Sequence, residues 1–146
     1  MVKHLTFQVV RGCMVVVQTA EAPTEEDSAA YLKALIPYVD AVSALKVLVV
    51  TEGGAPGPAM RQQIDRIVHP HKSRTKFAIV TSSTFARGVL VAIRAINPFY
   101  RGFSPNDLEG ALRYLEVPAF HVADVVRSVN ALRAEFGLPP VKGSCS

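Results

Sequence analysis

Tryptophan is absent from this chain of 146 residues, aromatic residues make up only 8% of it, and cysteine occurs twice. With so few rings available, the core has to be built from Val, Leu, Ile and Ala, a composition that suits parallel strands buried on both faces. Cys13 and Cys145 are far apart in sequence, and neither has neighbouring residues of the kind that complete a zinc site. A disulfide is not expected in what reads as a cytosolic protein of ordinary size, and Cys13 reads as a plain turn or strand residue. No apolar run approaches the roughly 18 residues that span a bilayer. Met1-Val2-Lys3-His4 leads into an alternating segment rather than a leader's apolar stretch, so no signal peptide and a cytoplasmic location are expected. Charged residues are only 19% of the chain against 49% hydrophobic, which excludes a disordered polyelectrolyte.

A chain of this length forms one domain and buries roughly 68–70% of its unfolded surface. Its net charge of +4 is unevenly placed. Residues 1–52 carry four basic and six acidic side chains, and residues 105–146 carry four and five. Residues 53–104 carry eight basic groups, Arg61, Arg66, Lys72, Arg74, Lys76, Arg87, Arg94 and Arg101, against Asp65 alone. An excess of that kind suits an acidic partner, a phosphate or a headgroup surface, and equally a solvated basic face.

Short apolar runs alternate with helical patterns. Leu5 to Val10 and Met14 to Gln18 read as an antiparallel hairpin around Arg11-Gly12-Cys13. Thr24, with Asp27 three residues on, is a capping signature for a helix to about Val39, with Tyr31, Leu35, Val39 and Val42 on one stripe and Pro37 as a bend or end. Lys46 to Thr51 is a strand, and Pro58 opens a helix to about Val68 that buries Met60, Ile64, Ile67 and Val68. Lys76 to Thr81 is the next strand. Ser82 or Ser83 caps a helix to about Ile96 that is buried through Phe85, Val89, Ile93 and Ile96. Phe99 to Phe103 is the fifth strand. Ser104-Pro105-Asn106-Asp107 caps a short helix to about Leu115, and Phe120 to Phe136 is a last amphipathic helix. The expected architecture is a single mixed, mostly parallel α/β sheet of about five strands. The N-terminal hairpin is antiparallel, and right-handed crossover helices lie mainly on one face. The domain spans 1–137 with a core over about 5–115, and a flexible tail follows at 138–146. The open face then needs a cover, which the C-terminal helix or a second copy of the chain can supply.

Val80-Thr81-Ser82-Ser83, Arg87-Gly88, Asn97-Pro98, and Phe103-Ser104-Pro105 leading to Ala111-Leu112 and Tyr114-Leu115 are the segments in which the chain resembles the STAS superfamily. That superfamily includes anti-sigma-factor antagonists and the cytoplasmic domains of sulfate transporters. The similarity runs from about Leu5 to Leu115 and is nearest to the stage II sporulation AA-like group, sometimes placed with CRAL-TRIO lipid-transfer domains. It implies a regulatory binding module, and the leading expectation is a non-enzymatic regulatory or scaffold module that acts by protein-protein interaction, with a small-ligand sensor as the alternative. The antagonists carry an Asp-Ser-Ser-Gly-like phosphorylation motif where the helix after the third strand begins. Here Glu52 to Met60 contains no Ser, Thr or Tyr, which argues against a phosphoswitch.

Two surfaces are candidates for function. Arg87, Val91 and Arg94 recur at helical spacing, with Arg101 on the next strand, as a strip suited to docking an acidic protein partner or a second copy of the chain. Gly53 and Gly54 precede a helix at the end of a buried strand, with Arg61 one turn in and Thr81, Ser82 and Ser83 one strand over. Together they offer an anion, nucleotide or acyl site at the carboxyl ends of the third and fourth strands. That loop lacks the Lys-Ser/Thr ending of a P-loop, and the hydroxyl cluster also reads as plain helix capping. Nucleic acid is not expected, since aromatics are not interleaved with the basic charge. No histidine is placed to serve as base for a nucleophilic serine, so neither a catalytic set nor a cofactor is assigned. His69-Pro70-His71 lacks a third ligand, and Pro70 favours an extended surface turn, so no metal is assigned either.

Overall fold

The computed structural model describes residues 3–95 and 97–141. The side chain of Phe85, all of Ile96, Cys145, and residues 142–146 of the expected tail lie outside the described residues. Five strands form one sheet in the order in which they occur: β1 (Leu5–Val10), β2 (Cys13–Gln18), β3 (Leu45–Thr51), β4 (Thr75–Val80) and β5 (Tyr100–Phe103). β1 and β2 are antiparallel, and every later pair is parallel. Helices α1 (Glu25–Ala41), α2 (Pro58–Val68) and α3 (Thr84–Arg94) make the crossovers, and α4 (Leu108–Tyr114) and α5 (Val122–Glu135) follow the last strand. No helix among the described residues is long and apolar enough to cross a membrane.

The hairpin closes through two residues, Arg11 and Gly12, both at positive φ (52° and 76°). That geometry matches the twist of the flanking strands and releases Cys13 to begin β2. Thr24 caps α1 in a complete capping box with Asp27. Pro37 stands inside α1 without ending it. At the other end of that helix the side chain of Arg74 donates to the carbonyl oxygens of Val39 and Val42, each at 2.7 Å, supplying the cap that the sequence of α1 lacks.

Side-chain alternation divides the sheet into two buried faces. One face presents Leu5, Met14, Val16, Leu45, Val47 and Phe77 to α1 and α2. The other presents Val15, Val17, Leu48, Val50, Ala78 and Val80 to α4 and α5. The three crossover helices share one face, as the sequence predicts. α5 covers the other face over β1 and β2, and α4 joins it over β4 and β5.

Three local expectations are corrected. His69–Arg74 is a 3-10 helix rather than an extended turn, because the fixed φ of Pro70 also suits a first helical turn. Asp107, not Ser104, caps α4, its carboxylate accepting the Gly110 amide at 3.0 Å, while Pro105–Asp107 form a separate 3-10 turn. Part of the expected tail is tied back: Arg133 donates to Pro139 O at 2.7 Å, and the Val141 amide donates to Asn130 Oδ1 at 2.9 Å.

Candidate ligand-binding site

On the face shared by the crossover helices, α1 and α2 pack against each other, whereas α3 rests on the edge strand β5. Gly102 allows that approach, since a Cβ there would lie 2.5 Å from Leu90 Cδ2. α3 therefore stands away from α2, and Val49 and Ile79, in the centre of the sheet, remain only half-buried. The gap between them is a cavity of about 70 Å³ that opens to solvent. Its walls are mostly apolar: Val49 and Ile79 from the sheet, Met60 and Ile64 from α2, and Val89 and Ile93 from α3. At one end the rings of Phe77 and Tyr100 stack 4.6 Å apart. At the other end, level with the carboxyl ends of β2 and β3, stand Gln18, Thr51 and Arg61.

The polar groups of this lining differ in how well they are satisfied. Thr51 Oγ1 donates to Gly54 O at 2.7 Å and accepts the Gly53 amide at 3.1 Å. Arg61 Nη1 donates to Pro56 O at 2.8 Å. Among the described residues, Arg61 is the one charged side chain in the lining, and it forms no ion pair. Gln18 is 4% exposed, and among the described residues its Oε1 is buried without a hydrogen-bond partner. Burial pushes the phenols of Tyr31 and Tyr100 far up, and the Asp65 carboxylate adds to the shift at Tyr100. Both hydroxyls therefore stay protonated and available as donors.

The residues predicted for a phosphate-type site are brought together only in part. Gly54 and Arg61 line the cavity, but the Gly53 amide is committed to Thr51 and the Gly54 amide to Thr19 O at 2.9 Å. Gly54 is required by close approach, since any Cβ would collide with the Glu21 and Thr19 carbonyl oxygens. Ser83 caps α3 through the Ala86 amide at 3.2 Å, and Thr81 Oγ1 accepts the Ser83 amide at 3.1 Å. Ser82 is exposed on the opposite side of the strand ends, beside the Glu52–Arg133 ion pair.

The predicted docking strip is also divided. Arg87, Val91 and Arg94 are exposed on the outward face of α3, with Val91 71% exposed. Arg101 pairs with Ala78 and belongs to the other face of the sheet, where its guanidinium lies 5.7 Å from the Phe103 ring centroid and 5.6 Å from that of Tyr114. Gln18, Tyr31 and Tyr100 went unrecognised in the sequence. The one available signal was a glutamine closing a fully buried five-residue apolar run. No protein-family model and no curated protein matches the chain.

Proposed function

We propose that this chain is a non-enzymatic regulatory module of the cytoplasm that acts by binding a small, largely apolar ligand between α2, α3 and the sheet. One observation carries the reading. Val49 and Ile79, in the centre of the sheet, are left only half-buried at the floor of a mostly apolar, open-sided cavity. Apolar surface taken from water is worth roughly 25 cal/mol per Å². A ligand seated in the gap covers Val49 and Ile79, which the helices leave half-buried. The STAS-like order of elements supports regulation over catalysis. The prior commitment of the Gly53 and Gly54 amides and of Ser83 favours an apolar ligand over a phosphate or nucleotide.

Thermal unfolding with a panel of short acids, alcohols, acyl compounds and nucleotides tests this reading. A ligand at about 100 times its Kd should add about 2.7 kcal/mol. Val49→Phe, which fills the cavity, should abolish the gain. No gain across the panel, or a gain that survives Val49→Phe, defeats the proposal.

A second reading is favoured by the exposure of Val91 between Arg87 and Arg94: an acidic partner protein docks on the outward face of α3. Arg87→Glu with Arg94→Glu should abolish capture of that partner while leaving the melting temperature unchanged. Undiminished capture by the double variant would exclude this surface.

A further inference from the structure

We propose that the free edge of β1 is a self-association surface, on which two copies of the chain pair their β1 strands antiparallel about a twofold axis at Gln8. The two sheets then run on as one. This surface lies at the opposite edge of the sheet from α3 and is independent of both readings above.

The two edges of the sheet are protected to different degrees. β5 is four residues long, follows Pro98, carries Arg101 and has α3 leaning on it. β1 is six residues long and contains neither a charged residue nor a proline. It pairs one for one with β2 along its whole length, without a bulge. Charge, proline, bulges and short length are the devices that keep an edge strand from pairing with another chain, and β1 has none of them. Val9 on this strand is 49% exposed.

Register fixes which groups the edge offers. The two-residue turn makes Val10 and Cys13 a hydrogen-bonded pair, so Thr6, Gln8 and Val10 direct their amides and carbonyls to β2. At the far end the Thr19 amide donates to His4 O at 3.0 Å, in the same phase. Leu5, Phe7 and Val9 therefore direct theirs outward. Leu5 is 2% exposed, which leaves Phe7 and Val9 as the accessible residues. Among the described residues, their amides and carbonyls take no partner from a loop or a helix.

This edge is complementary to itself. With the axis at Gln8, Phe7 of each copy stands opposite Val9 of the other, and both pairs exchange both of their main-chain bonds. An axis at Phe7 or at Val9 keeps only one accessible pair. Phe7 packs its ring edge-on against Tyr31, with centroids 5.7 Å apart, so the incoming valine meets a fixed apolar surface. Beyond the pairs, Arg11 of one copy arrives beside Leu5 of the other, at a groove of about 360 Å³ bordered by Lys3 and Glu26. Arg11 brings Asp124 with it, held at 2.9 Å. Each end of the pairing therefore joins charges of both signs, and the middle joins none. Because both copies use the same strand, the twofold closes at a dimer.

Sedimentation equilibrium of the intact chain, from micromolar to submillimolar concentration, tests the proposal. The mass should rise to that of a dimer and stop there. Val9→Lys sets a charge against Phe7 in both pairs and should weaken association about tenfold or more. Hydrogen exchange on the wild-type chain locates the contact: the Phe7 and Val9 amides should slow as concentration rises, while the Gly102 amide on β5 should not. A chain that stays monomeric at the highest concentration overturns the proposal and leaves the edge to an extended segment of another protein. A dimer that Val9→Lys leaves intact, exchange at Phe7 and Val9 that does not follow concentration, or growth past the dimer overturns it too. The exchange measurement needs no variant and decides the matter if Val9→Lys fails to fold.

Discussion

The two faces of the sheet are built from the same aliphatic strands but closed differently. On the α4/α5 face, Leu112, Leu115, Val125 and Val129 meet Val15, Leu48 and Val50 in one continuous core. On the crossover face, α1 is held at both ends, by the Asp27 and Thr24 bonds at its start and by Arg74 at its finish, whereas α3 leans on the shortest strand and leaves a gap beside α2. A helix anchored by directional bonds fixes its spacing to its neighbours. α3 has such bonds only at its start, from the Ser83 cap and from Arg87 to Thr81 O, and its far end rests on a glycine contact and a few aliphatic side chains, which leaves the space beside α2.

Adjacent residues on β3 give the sharpest test of that contrast, because Val50 faces the closed core and Val49 faces the gap. Val50→Ala should cost about 2 kcal/mol from lost burial and the void left behind, whereas Val49→Ala should cost less than about half of that. Equal losses in denaturant unfolding would mean that the two faces are equally packed. Removing the anchor of α1 comes next. Arg74→Ala strands the Val39 and Val42 carbonyls and should cost about 1.5 kcal/mol, and a neutral result would remove the distinction drawn between α1 and α3.

Asp27 gives a smaller, pH-dependent effect. Burial alone would raise its pKa, but the His4 and Thr24 amides, at 2.9 and 3.0 Å, and the Thr24 hydroxyl hold the carboxylate below its ordinary range. Its contribution is therefore complete above the unfolded value near pH 4 and disappears as pH falls through the lower folded value. Asp27→Asn should cost about 1 kcal/mol at neutral pH and lose stability less steeply than wild type below about pH 4. Parallel acid-unfolding curves would contradict this. The smallest effect belongs to the outward face of α3, where Arg87→Glu with Arg94→Glu should move stability by no more than about 0.5 kcal/mol.

The sheet, its mixed direction and the shared face of the crossover helices were legible because strand length, caps and turn residues are local signals. The Arg11-Gly12 turn, the Thr24 box and Pro58 at the start of α2 each act within a few residues. The cavity was not legible, because it depends on the distance between two helix axes. Val89 and Ile93 show the same spacing whether they meet a core or a void. Of the predicted ligand residues, Gly54 and Arg61 reach the site because they follow β3 directly, while Thr81 and Ser83 are used in starting α3. Gln18 was hidden at the end of an apolar run, and Arg101 lay one residue out of phase with the face assumed for it.

α5 spans the first hairpin through contacts between residues 113 to 129 positions apart in the chain. Asp124 holds Arg11 at 2.9 Å, Ser128 donates to Gln8 at 3.1 Å, and Thr6 reaches Glu135 at 3.4 Å. During synthesis β1 and β2 therefore show one greasy side to their surroundings until the residues after 121 arrive. A nascent chain paused before that point exposes Val15 and Val17 to whatever chaperone or neighbour is at hand, and α5 acts as the lid that ends this vulnerable interval.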